Sequence, residues 1–449
     1  MPAPILISNA SLVNEGRITE ADVLIRDGRI DSVASTISAP ANAVVIDAKG
    51  RHLIPGMIDD QVHFREPGLM HKGDIATESR AAVAGGITSY MEMPNVKPAT
   101  LSREALEEKY QRAAGRSMAN YAFYLGASNF NIDEIRALAV GQACGVKVFM
   151  GASTGDLLVD QHDALNRIFA ECPILIATHC EDTPLIQRNE AAALEKYGNA
   201  LSADHHPVIR SEEACWLSSS LAVSLAKKHN SKLHVLHLTT ARELALFTAG
   251  PINGKNITAE ACVHHLYFNN TDYPQLGNLI KCNPAIKYPT DQQALLQAVK
   301  DDLIDIIATD HAPHTLEEKC QPYWDAPAGL PLVQDALLAL IELVKREIFD
   351  LPLVVRKTSH AVADRYGMVD RGYIREGYHA DLVLVDMNNH TSVTKARVLY
   401  KCGWTPFAGR TFGARIDTTM VNGEIVWHNN KILGKPNGKR LEFSAQAFR

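Results

Sequence analysis

The sequence predicts an α/β protein: a (β/α)8 (TIM) barrel with a small β-sandwich domain formed by both chain ends. Three observations carry that expectation. Apolar runs alternate with helical stretches through the middle of the chain. The two ends share a short-stranded texture punctuated by Gly and Asn. Histidines and charged residues collect near the carboxyl ends of the apolar runs, where such barrels carry their chemistry. The expected boundaries are residues 1–55 and 372–449 for the composite β domain and 56–371 for the barrel.

Taken in order, residues 5–30 read as short strands turning at Asn14-Glu15-Gly16 and Asp27-Gly28. With no basic start and no cleavable apolar core, this segment is expected to belong to the fold and not to a leader. AVVIDAKG continues the same texture. The expected barrel strands are LIPGMID, GITSYMEM, NYAFYLGAS, GVKVFM, PILIATHCE, KLHVLHLTT, NITAEACVHH and LIDIIATDHA. Helical stretches such as SREALEEKYQRAAG, SEEACWLSSSLAVSLAKKHN and DQQALLQAVKDDL lie between them. An open doubly wound sheet is the alternative, but no GxGxxG opens a helix. ADLVLVD and MVNGEIVWHNNKI return to the texture of the amino end, and the tail after about residue 430 reads as a surface extension.

Composition narrows the function classes. A chain of 449 residues, 46% hydrophobic and 21% charged, buries a sizeable core and exceeds one small domain. Its net charge of -6 offers no basic excess for nucleic acid or an anionic membrane, and no apolar run is long enough to span a bilayer. A small-molecule substrate is the expectation. The eight cysteines form no CxxC pair and sit mostly in apolar runs, so a reducing cytoplasm is expected.

The chemistry concentrates in a few positions. In DDQVHFREPG, regular alternation puts Asp59, Gln61, His63 and Arg65 on one face and Asp60, Val62 and Phe64 on the other. His63, Lys147, His179, His237 and Asp310 then fall at or near the ends of separate strands. One histidine in an apolar strand is usually a hydrogen-bonded core residue, but imidazoles with a carboxylate at one barrel end suit Zn2+ or a similar ion. By parity His237 faces with Leu233 and Val235, and His234 faces away, structural or packed against a helix. His179 shares its face with Glu181, which is placed to orient the ring. His264 and His265 cannot both point inward and have no assigned role; His205, His206 and His311 are structural or solvent-facing by default. Lys147, alone among apolar residues, must be neutral, paired with Asp310 or Glu181, or modified. Carbamylation by CO2 would turn it into an anionic metal ligand.

PGMIDDQVHFREPG, MPNVKPAT, GVKVFMGASTG, ATHCED, LHVLHLTTA, NPAIK and ATDHAPH, in this order, resemble dihydroorotases of the amidohydrolase superfamily. EGYHADLVLVD and MVNGEIVW are similar to that superfamily's β-domain segments, so the resemblance spans nearly the whole chain. It implies a zinc-dependent cyclic amidohydrolase that interconverts N-carbamoyl-L-aspartate and L-dihydroorotate in pyrimidine (UMP) biosynthesis. One or two Zn2+ ions would be held by His63, Lys147 as its N6-carboxylated form, His179, His237 and Asp310. Arg65, Asn95 and His314 would hold the substrate carboxylate, and Asn283 would touch the ring. The metal would make hydroxide available as nucleophile, with Asp310 shuttling the proton. Arg65 favours a carboxylate-bearing substrate over the neutral rings of hydantoinases and allantoinases.

Three positions depart from the pattern. Gln61 stands where a histidine completes an HxH pair, and its neutral amide oxygen is expected to ligate metal weakly or to leave the two-metal site one protein ligand short, ahead of loss of one metal. Asp60 occupies a usually apolar position, and Lys287 replaces a more usual arginine. The rival readings are therefore another cyclic amidohydrolase, hydantoinase-like or allantoinase-like, and an inactive scaffold for aspartate transcarbamoylase. A homo-oligomer is compatible with either. The glycine-bearing loops 151–155 and 326–334 are candidates to close over substrate.

Overall fold

The computed structural model describes residues 3–151 and 157–445. Eight strand positions form a ring: Met57–Val62, Ile87–Glu92, Asn120–Phe123 continuing as Leu125–Gly126, Val146–Phe149, Ile176–His179, Leu233–Val235, Ile257–Cys262 and Ile306–Ala308. Neighbours pair in parallel. The ring closes where Val62 bridges His311 and the His63 N–H donates to the His311 carbonyl at 2.7 Å. Each predicted barrel run contributes a strand. The first is divided: His52–Pro55 joins the terminal sheet, and the barrel strand starts after Gly56.

The strands alternate as a barrel wall requires. Val146 and Val148 pack outward in the main apolar core under the helices, while Lys147 and Phe149 face the interior. The helices begin where the sequence supplies caps. Ser102 accepts from Ala105 N at 3.1 Å ahead of Arg103–Ala113, and Ser211 accepts from Ala214 N ahead of Glu212–His229. Asn230, at φ 53°, ends the latter in the left-handed conformation that asparagine tolerates.

Both chain ends build one nine-stranded sheet. Its order is Lys431–Ile432, Glu424–His428, Arg415–Val421, Leu382–Asp386, His52–Pro55, Ile5–Asn14, Arg17–Arg26 and Arg29–Ala34, with Val44–Asp47 added beside Ile5–Asn14. Ile5–Asn14 changes partner midway, pairing Val44–Asp47 through its first half and His52–Pro55 through its second. Residues of the two halves, among them Val23 and Leu384, share one apolar core.

Two expectations need correction. The tail is not a surface extension: Leu441 and Phe443 are buried among interior barrel residues, and Leu441 N donates to Tyr121 O at 2.9 Å. Its apolar side chains are too few to read as a strand, yet they cover the open amino end of the barrel strands. His234 does not face away from the barrel interior, and the helix it meets is there: its ring lies edge-on to Tyr366 of Ala361–Tyr366 at 6.3 Å. His234 pairs across the sheet with Ala177, which pairs with Lys147, so its side chain shares the interior face with Lys147. Among the described residues, no helix is long and apolar enough to cross a membrane.

Candidate active site

At the carboxyl ends of the barrel strands lies a cavity of about 350 Å³ lined by Gln61, His63, Arg65, Asn95, Lys147, His179, His237, Asn283, Asp310 and His314. These are the ten positions singled out from the sequence. Phe149, Ala312, Ala328 and Gly329 complete the lining. Strict strand parity would not have brought them together. A register shift between Asp59 and Val62 breaks the alternation of the first strand, so Gln61 and His63 reach the cavity while Asp60 also faces the interior. Arg65, His237 and Asp310 adopt left-handed backbone, at φ 71°, 40° and 51°. Each costs on the order of 1–2 kcal/mol and turns a side chain toward the cavity.

Asp310 is the hub. Its Oδ1 lies 3.0 Å from His63 Nε2 and accepts from Gln61 Nε2 at 3.0 Å. Burial would raise this carboxyl, but the His63 contact holds it below the usual range. Gln61 thus turns its amide nitrogen to the carboxylate, and its oxygen faces the Cys262 thiol at 3.8 Å. Asn95 Oδ1 contacts the other ring nitrogen of His63 at 2.7 Å.

His179 is oriented from behind. Its Nε2 meets Glu181 Oε2 at 2.8 Å, the contact expected from their shared face. Arg210 donates to the same oxygen at 2.7 Å. A ring proton fixed at Nε2 leaves Nδ1 bare, 3.0 Å from His237 Nε2. Two imidazole nitrogens facing each other fit a shared cation better than they fit each other. His237 Nδ1 is itself buried without a partner. Lys147 adds a buried amine that forms no ion pair among the described residues; its Nζ sits 4.7 Å over the Phe149 ring. Pairing with Asp310 or Glu181, one alternative open from the sequence, does not occur. Burial pushes the Lys147 amine down to about 8. Three imidazoles, a carboxylate and an unpaired amine around one cavity fit a divalent ion of the Zn2+ type.

The opposite wall is cationic. Arg65 is 6% exposed, its Nε donating to Pro313 O at 3.0 Å and its terminal nitrogen 3.1 Å from His314 Nε2. Lys72 contacts His314 Nδ1 at 3.0 Å, and Trp404 Nε1 donates to the His314 carbonyl at 2.7 Å. Loop 326–334 forms part of the wall. At Gly329, φ 132°, a Cβ would lie 2.6 Å from Ala312 O, so only glycine lets the two segments approach. Lys319 pins that loop by donating to the carbonyls of Pro327 and Gly329, at 2.8 Å each. Of loop 151–155, residues 152–155 lie outside the described residues.

An amidohydrolase-family model matches residues 52–426. The chain is 32% identical to the dihydroorotase of Halobacterium salinarum over 430 residues, which is 94% of this chain and 96% of that one. It is 32% identical to the dihydroorotase of Bacillus cytotoxicus over 441 residues, 95% and 99% of the two chains. The chain belongs to the amidohydrolase family. It is accordingly a hydrolase. Among solved structures, the L-hydantoinase of Arthrobacter aurescens superposes with a TM-score of 0.91 at 25% identity, covering 98% of this chain and 99% of that one. The dihydropyrimidinase of Brevibacillus agri gives 0.88 at 24% identity over 97% and 98% of the chains, a likeness of fold.

Several residues of this amidohydrolase site were not legible in the sequence. Arg210, which keeps Glu181 ionised, follows His205 and His206, a pair given no part in the site, and His206 contacts Asn283 Oδ1 at 3.1 Å. Phe149 was available from parity, two residues after Lys147 on the same strand face. Lys287 turns its Nζ to Ala285 O at 3.0 Å, away from the cavity of this amidohydrolase.

Proposed function

We propose that this amidohydrolase is a zinc-dependent dihydroorotase, interconverting N-carbamoyl-L-aspartate and L-dihydroorotate in pyrimidine biosynthesis. The observation that carries the reading is the buried Arg65 guanidinium on the wall facing the imidazoles. A planar cation with five donors matches a carboxylate, which the neutral rings of hydantoins lack. The names of the sequence relatives point the same way.

His63, Lys147 in carbamylated form, His179, His237 and Asp310 would hold one or two zinc ions. Bound there, zinc would supply Lewis acidity and lower the pKa of water. The remaining work falls to the chain. Asp310, kept ionised by its neighbours, takes a proton from the attacking water and returns it to the leaving ring nitrogen. Gln61 donates to Asp310 and fixes that carboxylate's rotation, a role we place ahead of metal ligation because its nitrogen, not its oxygen, faces the carboxylate. Arg65, His314 and Asn95 hold the substrate carboxylate, and Asn283 contacts the ring. The Lys147 amine, depressed to about 8, is neutral often enough near physiological pH to take up CO2.

The test is turnover of dihydroorotate, and of carbamoyl aspartate in reverse, by zinc-loaded protein in bicarbonate buffer. Activity is expected to vanish on chelation and return with zinc, and Asp310→Asn is expected to lower kcat by about 10²–10⁴. The hydantoinase-like reading rests on the close superposition with a hydantoinase. Arg65→Lys separates the two. For a dihydroorotase it should raise KM for dihydroorotate about 10–100-fold with a smaller change in kcat, because a point charge replaces a fork. Turnover of hydantoin but not dihydroorotate by the parent protein would reject our reading. An inactive scaffold for aspartate transcarbamoylase would show no turnover with zinc bound.

A further inference from the structure

Beneath the cavity, and not lining it, three fully buried side chains converge: Asp60 of the first barrel strand, His234 of the sixth and Glu260 of the seventh. One end of each is tied down. His234 Nδ1 meets Thr258 Oγ1 at 2.8 Å, and Asp60 Oδ2 accepts from Tyr366 OH at 2.9 Å. Glu260 Oε1 accepts from His237 N at 3.0 Å and from the Cys262 thiol at 3.4 Å. The other ends are not satisfied. His234 Nε2, Asp60 Oδ1 and Glu260 Oε2 have no hydrogen-bond partner, and one ligand atom from each residue lies within 4.8 Å of the others.

The separations speak against a plain ion pair. His234 Nε2 is 3.3 Å from Asp60 Oδ2, the oxygen that also accepts from Tyr366, and 3.6 Å from Glu260 Oε2. Charge-assisted N–H···O bonds are shorter, about 2.7–2.9 Å. Ligands bound at about 2.0–2.1 Å around a tetrahedral ion stand about 3.3 Å apart, close to both distances. Charge argues the same way. Two ionised carboxylates with an imidazolium leave a net negative charge in a buried cluster, a cost that pushes the Glu260 carboxyl up to about 7. Two carboxylates, a neutral imidazole and a divalent ion sum to zero.

We propose that Asp60, His234 and Glu260 form a second, structural site for a divalent transition-metal ion such as Zn2+ or Mn2+, separate from the cavity at the strand ends. The site ties the first strand to the sixth and seventh across the barrel axis, and it accounts for a carboxylate at position 60. It stands independently of the substrate assigned above.

The test is metal content by mass spectrometry in full-length protein grown with Zn2+ or Mn2+ and passed through a chelator. His63→Ala/Lys147→Ala/His179→Ala disables the cavity ligands. This variant should retain about one equivalent of chelator-resistant ion, because a closed site in a folded barrel exchanges slowly. Adding Glu260→Gln, or Asp60→Asn if that fold is better kept, should remove it. A folded triple variant with no metal, or retention after Glu260→Gln, would overturn the proposal. If neither added substitution folds, Co2+ decides: the triple variant should show the visible absorption of protein-bound cobalt with nitrogen and oxygen ligands, and a colourless protein would refute the site.

Discussion

Glu181 is a carboxylate that burial alone would keep protonated. Arg210 and the His179 ring overcome that and hold it down at about 2. Because its folded value lies below the unfolded one, its contribution is fully present above about pH 4.5 and is lost as pH falls toward 2. A displacement of that size corresponds to about 3 kcal/mol. The stability advantage of the parent over Glu181→Gln, in urea unfolding of metal-free protein, should shrink by about 2 kcal/mol between pH 5 and pH 3. A constant difference would show that Arg210 is not what holds the carboxylate. The residue scale is also where the sequence was most and least readable. Residue type and order pointed to Gln61, His63, Arg65, Lys147, His179, His237 and Asp310, and the family resemblance added Asn95, Asn283 and His314. The orientation of a single amide was not legible, since whether Gln61 presents nitrogen or oxygen depends on Asp310, 249 positions away.

Among elements, the strands were legible because each carries an apolar run closed by polar residues, and the helices because serine caps mark their starts. Parity failed at two places for backbone reasons. The register shift in Met57–Val62 lets adjacent residues face the same side, and the left-handed His237 reverses the alternation counted from Leu233. Neither leaves a trace in hydrophobic pattern. The tail failed differently, because its contacts lie over 300 positions away, as with Leu441 and Tyr121. Truncating it is therefore not neutral. Leu441→Ala or Phe443→Ala should cost about 2–5 kcal/mol, read as a fall in Tm. A solvent-borne tail would show no shift in either variant.

For the whole molecule, the terminal sheet and the barrel are joined without a linker. His52–Pro55 ends in one and, after Gly56, Met57–Val62 opens the other. The site side of the barrel is thus mounted on a strand whose far end is fixed in a second structure. That order also governs synthesis on the ribosome. The sheet partner of His52–Pro55, Leu382–Asp386, is translated about 330 residues later, on the order of 15–65 s at bacterial to eukaryotic elongation rates. Throughout that interval the amino-terminal hairpins present an open, apolar strand edge of the kind that recruits other chains. Slow translation anywhere between residues 56 and 381 would lengthen that exposure.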